Sequence, residues 1–158
     1  MNAIITVFYD WSRICAGWLG WLGPLAARIV LGWVFLWSGW TKLNALPRMI
    51  ENFRDWGIPA PEFFTPLASG IEFVGGILLL IGLLTRFAAV PMMIVMVVAI
   101  ISAKWADVDS LETFLGFDEV AYFVMFGWLA IAGPGPVSVD HYVLQAFRPD
   151  RPPSDYGA

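Results

Sequence analysis

The sequence predicts an all-α integral membrane protein: a four-helix bundle with a short amphipathic N-terminal helix and a helical loop between its first two spans. Three observations carry this reading. Hydrophobic residues make up 59% of the 158-residue chain and charged residues 14%, against about 45–50% and about 25% in soluble domains. Aromatics reach 16%, with nine Trp and twelve Phe, more apolar surface than a soluble globule of this size can hide. The apolar residues are gathered into four segments, and three of these reach the roughly 20 residues that a bilayer core demands. Lipid offers the backbone no hydrogen bonds, so such segments become helices. No alternating ten-residue pattern of a membrane β-barrel is present.

Taken in order, residues 1–17 form an interfacial segment. Asp10 and Arg13 interrupt its apolar run, and it lacks the basic start of a signal peptide. Ile4, Phe8, Trp11, Cys15 and Trp18 recur at spacings of four and three, one face of an amphipathic helix; an early extension of the first span is the other reading. Residues 18–142 hold four spans, at about 18–43, 66–84, 86–105 and 117–133. Pro24 either opens the first span or kinks a longer helix. The loop 44–65 contains an amphipathic stretch at 47–56. A turn at Thr85–Arg86 makes spans two and three a tight antiparallel hairpin, and an acidic loop precedes span four. After Gly133-Pro134-Gly135-Pro136 the chain leaves the bilayer, and 143–158 read as a polar tail. Even spans put both termini on one side. Basic residues divide four against four, and Arg28 tilts the balance towards cytoplasmic termini of a multi-pass protein of the cell (inner) membrane.

Several functions are excluded. A net charge of −4 without a basic block leaves no surface for nucleic acid. One cysteine and one histidine exclude an internal disulfide, a dithiol relay, bis-His haem ligation and a His-based metal cluster within one chain. No metal site is therefore expected. Met92, Met93 and Met96 read as gap-fillers rather than ligands.

Charges inside spans are costly, about 2.5–3.5 kcal/mol each on insertion scales, so they need partners. Arg28, Gly32, Phe35, Gly39 and Lys42 form one stripe, and Glu72, Gly75, Leu79, Gly82 and Arg86 another. Small residues at such spacing let membrane helices approach closely. Laid antiparallel, Lys42 meets Glu72, Gly39 meets Gly75, Phe35 meets Leu79, Gly32 meets Gly82 and Arg28 meets Arg86. The two arginines then need an anion, and Asp140 is nearest by depth. Arg28, Arg86 and Asp140 are thus expected as structural ion pairs. Lys42 and Glu72 are the candidate catalytic pair, for proton and ligand contacts, with a purely structural helix clamp as the equal alternative. Ser38 and Trp37 near this pair, and Glu119 from across the bundle, are candidate ligand-binding residues.

The segment Ala27-Arg28-Ile29-Val30-Leu31-Gly32, with Ser38-Gly39-Trp40-Thr41-Lys42-Leu43, resembles the first span of the DoxX family. The run from Glu72-Phe73-Val74-Gly75-Gly76 to Gly82-Leu83-Leu84-Thr85-Arg86 resembles its second, and Gly133-Pro134-Gly135-Pro136-Val137-Ser138-Val139-Asp140 its closing motif. The resemblance implies a small four-span membrane protein of bacteria and archaea. Some members are membrane subunits of a thiosulfate:quinone oxidoreductase, and others are linked to thiol homeostasis beside soluble partners. Many members carry His where this chain has Ser38, which puts histidine-based redox chemistry here in doubt.

The favoured function is therefore a membrane subunit of a redox complex that binds a quinone, or a similar apolar ligand, between its helices. No redox cofactor resides in the chain, so electrons would come from a soluble or membrane protein subunit. The alternatives are a non-enzymatic membrane anchor, assembly or lipid-binding module, and a small transporter acting as a homo-oligomer through its glycine stripes.

Overall fold

The computed structural model describes residues 2–147 and, among these, contains helices and no strand. The helices are α1 (Asn2–Leu19), α2 (Leu22–Asn44), α3 (Leu46–Asp55), α4 (Pro61–Ile81), α5 (Thr85–Ala99), α6 (Leu111–Leu115), α7 (Asp118–Ala132) and α8 (Val139–Phe147). A π-helical turn, Ile100–Lys104, and a 3₁₀ turn, Trp105–Asp107, prolong α5. Three helices are long and apolar enough to cross a bilayer: Leu22–Asn44, Pro61–Ile81 and Thr85–Asp107. The protein is thus an all-α membrane protein. Helix α7, with 15 residues, is about 22 Å long, short of the ~30 Å hydrocarbon core.

Helix α2 packs on α4, α5 packs on both α4 and α7, and α7 closes the bundle against α2. The core is a thin apolar seam of Leu31, Phe35, Leu79, Ala89, Met92, Met96, Phe126 and Leu129. Phe35 holds α7 through Tyr122 and Phe126, with ring centroids 5.2 and 5.1 Å apart. Met92 and Met96 fill this seam. Trp33, Trp37, Trp40, Val74, Phe87, Ile94 and Ile131 point outward, where lipid rather than water satisfies them.

Several boundaries differ from the expectation. The first span begins at Leu22, because Gly20 and Trp21 form a turn after α1; Pro24 therefore lies in the first turn of α2, where its missing N–H costs nothing. In α1 the side chains of Phe8, Trp11 and Trp18 are all exposed, while those of Ile4 and Cys15 lie outside the described residues. The first residues of the expected polar tail, 143–147, are helical. Ser138 Oγ accepts from His141 N at 3.1 Å, an N-cap that starts α8 and carries the helix to Phe147. Residues 148–158 of the expected tail lie outside the described residues.

The register of α2 on α4 is also corrected. A methyl group at Gly39 would stand 2.4 Å from Phe73 N, and one at Gly76 2.4 Å from Leu36 N. Closest approach is therefore Gly39 on Phe73 and Gly76 on Leu36. Gly32 lies against Gly76 and Leu80, not Gly82, while Gly75 faces Met92 on α5. Of two adjacent glycines only one can face α2, since successive helical positions diverge by about 100°. The long stem of Lys42 still reaches Glu72. At the other end the shift brings Arg28 to Gly82 rather than to Arg86.

Candidate functional site

Glu72 lies in the middle of α4 and is 2% exposed. Its carboxylate is fully engaged: Lys42 Nζ donates to Oε1 at 2.6 Å and to Oε2 at 2.7 Å, and Ser38 Oγ donates to Oε2 at 2.8 Å. Both donors come from α2, four residues apart on one helical face. A charge removed from water is tolerated when it is paired and hydrogen-bonded, and this arrangement meets both conditions. The Lys42 side chain keeps 34% exposure, its stem lying along the helices with the ammonium at the buried carboxylate.

Lys42 and Glu72 form one corner of a cavity of about 620 Å³. Helix α3 lines it with Met49 and Phe53, and Trp56 follows at the C-cap; the Phe53 and Trp56 rings lie 5.5 Å apart, tilted by 39°. Leu67 and Ile71 of α4 and Val95 of α5 continue the apolar wall. The π-helical turn adds Ser102, Ala103 and Lys104, and α7 adds Glu119. An exposed Arg54–Glu62 pair at 2.7 Å ties α3 to the start of α4.

The structure thus brings Lys42, Glu72 and Glu119 to one cavity. It does not bring Trp37 there: this side chain is 63% exposed on the outer face of α2, a stripe with Trp33 and Trp40 that helical spacing carries away from Glu72. Ser38 is not part of the cavity wall either; it orients Glu72 from behind. Sequence reasoning missed Lys104 and the aromatic roof Phe53–Trp56. The amphipathic stretch at 47–56 was their signal, but periodicity alone does not say where an apolar face docks.

At the opposite end Arg28, Arg86 and Asp140 form no salt bridge among the described residues; backbone contacts hold Arg28 and Asp140, which stay within electrostatic reach of each other. Arg28, 2% exposed, donates through Nε to Leu79 O at 3.0 Å and through Nη1 to Pro134 O at 2.5 Å and Val137 O at 2.8 Å. The guanidinium so clips α2 to the C-terminal end of α4, where carbonyls and helix dipole favour a cation, and to the closing segment. Gly82 ends α4 in the left-handed region at φ 70°, and a Cβ there would stand 2.7 Å from the guanidinium carbon. Asp140 accepts from Leu84 N at 2.7 Å and Thr85 N at 3.1 Å, capping α5, while its own N donates to Gly82 O at 3.0 Å. Arg86 is exposed beside Gly133 and makes no salt bridge among the described residues. The reason is one of supply: peptide carbonyls and amides at helix ends were available at the right depth, and they serve both charged groups.

Comparison with known proteins identifies the family. The DoxX family model matches residues 23–105. The chain is 36% identical over 127 residues to the "Uncharacterized membrane protein Rv3486" of Mycobacterium tuberculosis, covering 73% of this chain and 78% of the relative. It is 30% identical over 122 residues to the "Inner membrane protein YqjF" of Escherichia coli, covering 75% and 90%. It is 28% identical over 129 residues to the "Putative oxidoreductase CatD" of Bacillus subtilis, covering 80% and 91%. No solved structure matches. With a family model spanning more than half the chain, and closely covering membrane-protein relatives, the chain belongs to the DoxX family.

Proposed function

We propose that the protein binds a quinone, or a similar flat-headed apolar ligand, in the Lys42–Glu72 cavity, as the membrane subunit of a redox complex in the cell inner membrane. The observation that carries this reading is one cavity with two characters. Its volume, about 620 Å³, falls within the ~300–1,000 Å³ of small-molecule sites, which are mostly apolar with a few placed polar groups. Phe53 and Trp56 supply an aromatic wall for a ring, while Lys42 supplies a donor for a carbonyl oxygen. Glu72, held by Ser38, keeps that ammonium charged and oriented. The name of the Bacillus relative, "Putative oxidoreductase CatD", points the same way. Reducing equivalents would come from a partner subunit, since the chain encodes neither a thiol pair nor a haem ligand set.

The test is binding of decylubiquinone to the purified full chain in nanodiscs, followed by quenching of tryptophan fluorescence. Saturable binding is expected, and Glu72→Gln should weaken it about tenfold, or about 1.4 kcal/mol, while leaving the helical spectrum intact. Absence of saturable binding by the wild type, or loss of the folded protein on Glu72→Gln, would leave the pair as a helix clamp and sink the reading.

A further inference from the structure

We propose that Lys104 and Glu119 are the specificity-determining pair of this cavity, and that they select an electrically neutral amphiphile whose head carries a hydroxyl group. The inference rests on the ligand-binding reading above and names the class of ligand.

Four charged residues line the cavity: Lys42, Glu72, Lys104 and Glu119. Their formal charges cancel. Lys42 and Glu72 are bound to each other, and the Glu72 carboxylate is fully used, while Lys42 keeps one of its three N–H groups for a ligand. Lys104 and Glu119 stand on different elements, the π-helical turn and the first turn of α7, and do not form a salt bridge with each other. Lys104 Nζ rests over the ring of Phe117, 5.6 Å from its centroid, a weak station for a cation next to the α7 N-terminus. Beyond that pair the cavity therefore holds one donor, Lys104, and one acceptor, Glu119, for a bound molecule.

The π-helical turn explains why Lys104 is available. In a regular α-helix successive side chains diverge by about 100°. The widened turn lets Ser102, Ala103 and Lys104 all reach the same cavity, a geometry that recurs at ligand sites.

The charge balance sets the ligand class. An anionic head, such as a phosphate, and a cationic head alike meet two ammonium groups and two carboxylates, so neither gains a net counter-charge to offset its desolvation in a site walled mostly by carbon. A neutral head incurs no such cost. A hydroxyl oxygen both accepts, from Lys104, and donates, to Glu119; a carbonyl oxygen only accepts. A hydroquinone or phenol therefore satisfies the pair, whereas an oxidised quinone leaves Glu119 without a donor.

The experiment compares three probes with the same decyl tail on the purified full chain in zwitterionic nanodiscs: decylubiquinol kept reduced under anaerobic conditions, decylubiquinone, and decyl phosphate. The expected order of affinity in the wild type is quinol, then quinone, then phosphate. Glu119→Gln leaves the cavity with one net positive charge. Quinol binding should fall about tenfold while decyl phosphate binding rises about tenfold, an opposed change that simple loss of packing does not produce. Lys104→Gln should abolish decyl phosphate binding. Equal affinities for quinol and quinone, a wild-type preference for decyl phosphate, or the absence of the opposed change in Glu119→Gln would overturn the proposal while leaving the quinone site standing. Failure of both quinone forms to bind the wild type would overturn the site itself.

Discussion

The two buried charges among the described residues are solved in different ways, and the difference governs what substitution does to each. Glu72 is neutralised by a lysine that remains one-third exposed, whereas Arg28 is held by three carbonyls. The Arg28 contacts need a planar fork: Nε reaches α4 while Nη1 reaches the closing segment. Lysine offers one point of donation and cannot span both. Arg28→Lys should therefore keep the charge yet destabilise the protein by about 2–4 kcal/mol, since carbonyls buried around it lose their donors. Thermal unfolding in detergent reads this directly, and an unchanged midpoint would show that the carbonyl contacts carry no stability. The Lys42–Glu72 pair was legible in the sequence because both partners are side chains set at matching depth. The Arg28 and Asp140 contacts were not, because their partners are peptide groups, which every residue possesses and no letter of the sequence marks.

At the scale of the elements, the small-residue stripes predicted a close α2–α4 contact but misplaced its register. Gly75 and Gly76 are adjacent, and the stripe drawn through Gly75 chose the wrong one; the choice depends on which side α5 occupies, a tertiary fact. The stripes then make a sharp prediction. Gly39→Ala would set a methyl carbon 2.4 Å from Phe73 N, a backbone atom that cannot rotate away, so the helices must separate. About 1–3 kcal/mol should be lost, as in other overpacked cores. Gly70 lies in the same α4 helix with nothing within 4 Å of its would-be Cβ, and Gly70→Ala should stabilise by up to about 1 kcal/mol through helix propensity. Parallel melting curves of the two variants check this, and equal shifts would refute the close-packing account. Helix α3 illustrates the same limit in the opposite sense: its amphipathicity foretold a helix, while its service as the cavity roof came only from packing.

For the whole molecule, the polar contacts assign the two ends of the bundle. Arg28 near the start of α2, Gly82 and Leu84 at the α4–α5 turn, and Pro134 to Asp140 after α7 are all joined by hydrogen bonds or direct approach. Lys42, α3, Lys104 and Glu119 gather at the opposite end around the cavity. Helix α7 thus runs from one end to the other even though its 15 residues fall below the length that marks a span by composition alone. If the bundle lies across the bilayer, these two ends face opposite compartments, and the cavity lies at the end away from Arg28 and Asp140. Single cysteines in a Cys15→Ser background test this with a membrane-impermeant maleimide on intact cells. Glu51→Cys on α3 and Asp109→Cys in the acidic loop should label in intact cells. Tyr142→Cys on α8 should label only after permeabilisation, because we propose a cytoplasmic end at Arg28 and Asp140 on the tilt that Arg28 gives to an otherwise even division of basic residues. The reverse pattern would invert the protein without changing the bundle. Labelling of Asp109→Cys and Tyr142→Cys from the same side would mean that α7 does not cross, and would return it to the surface as a helix packed on α5 at one face of the membrane.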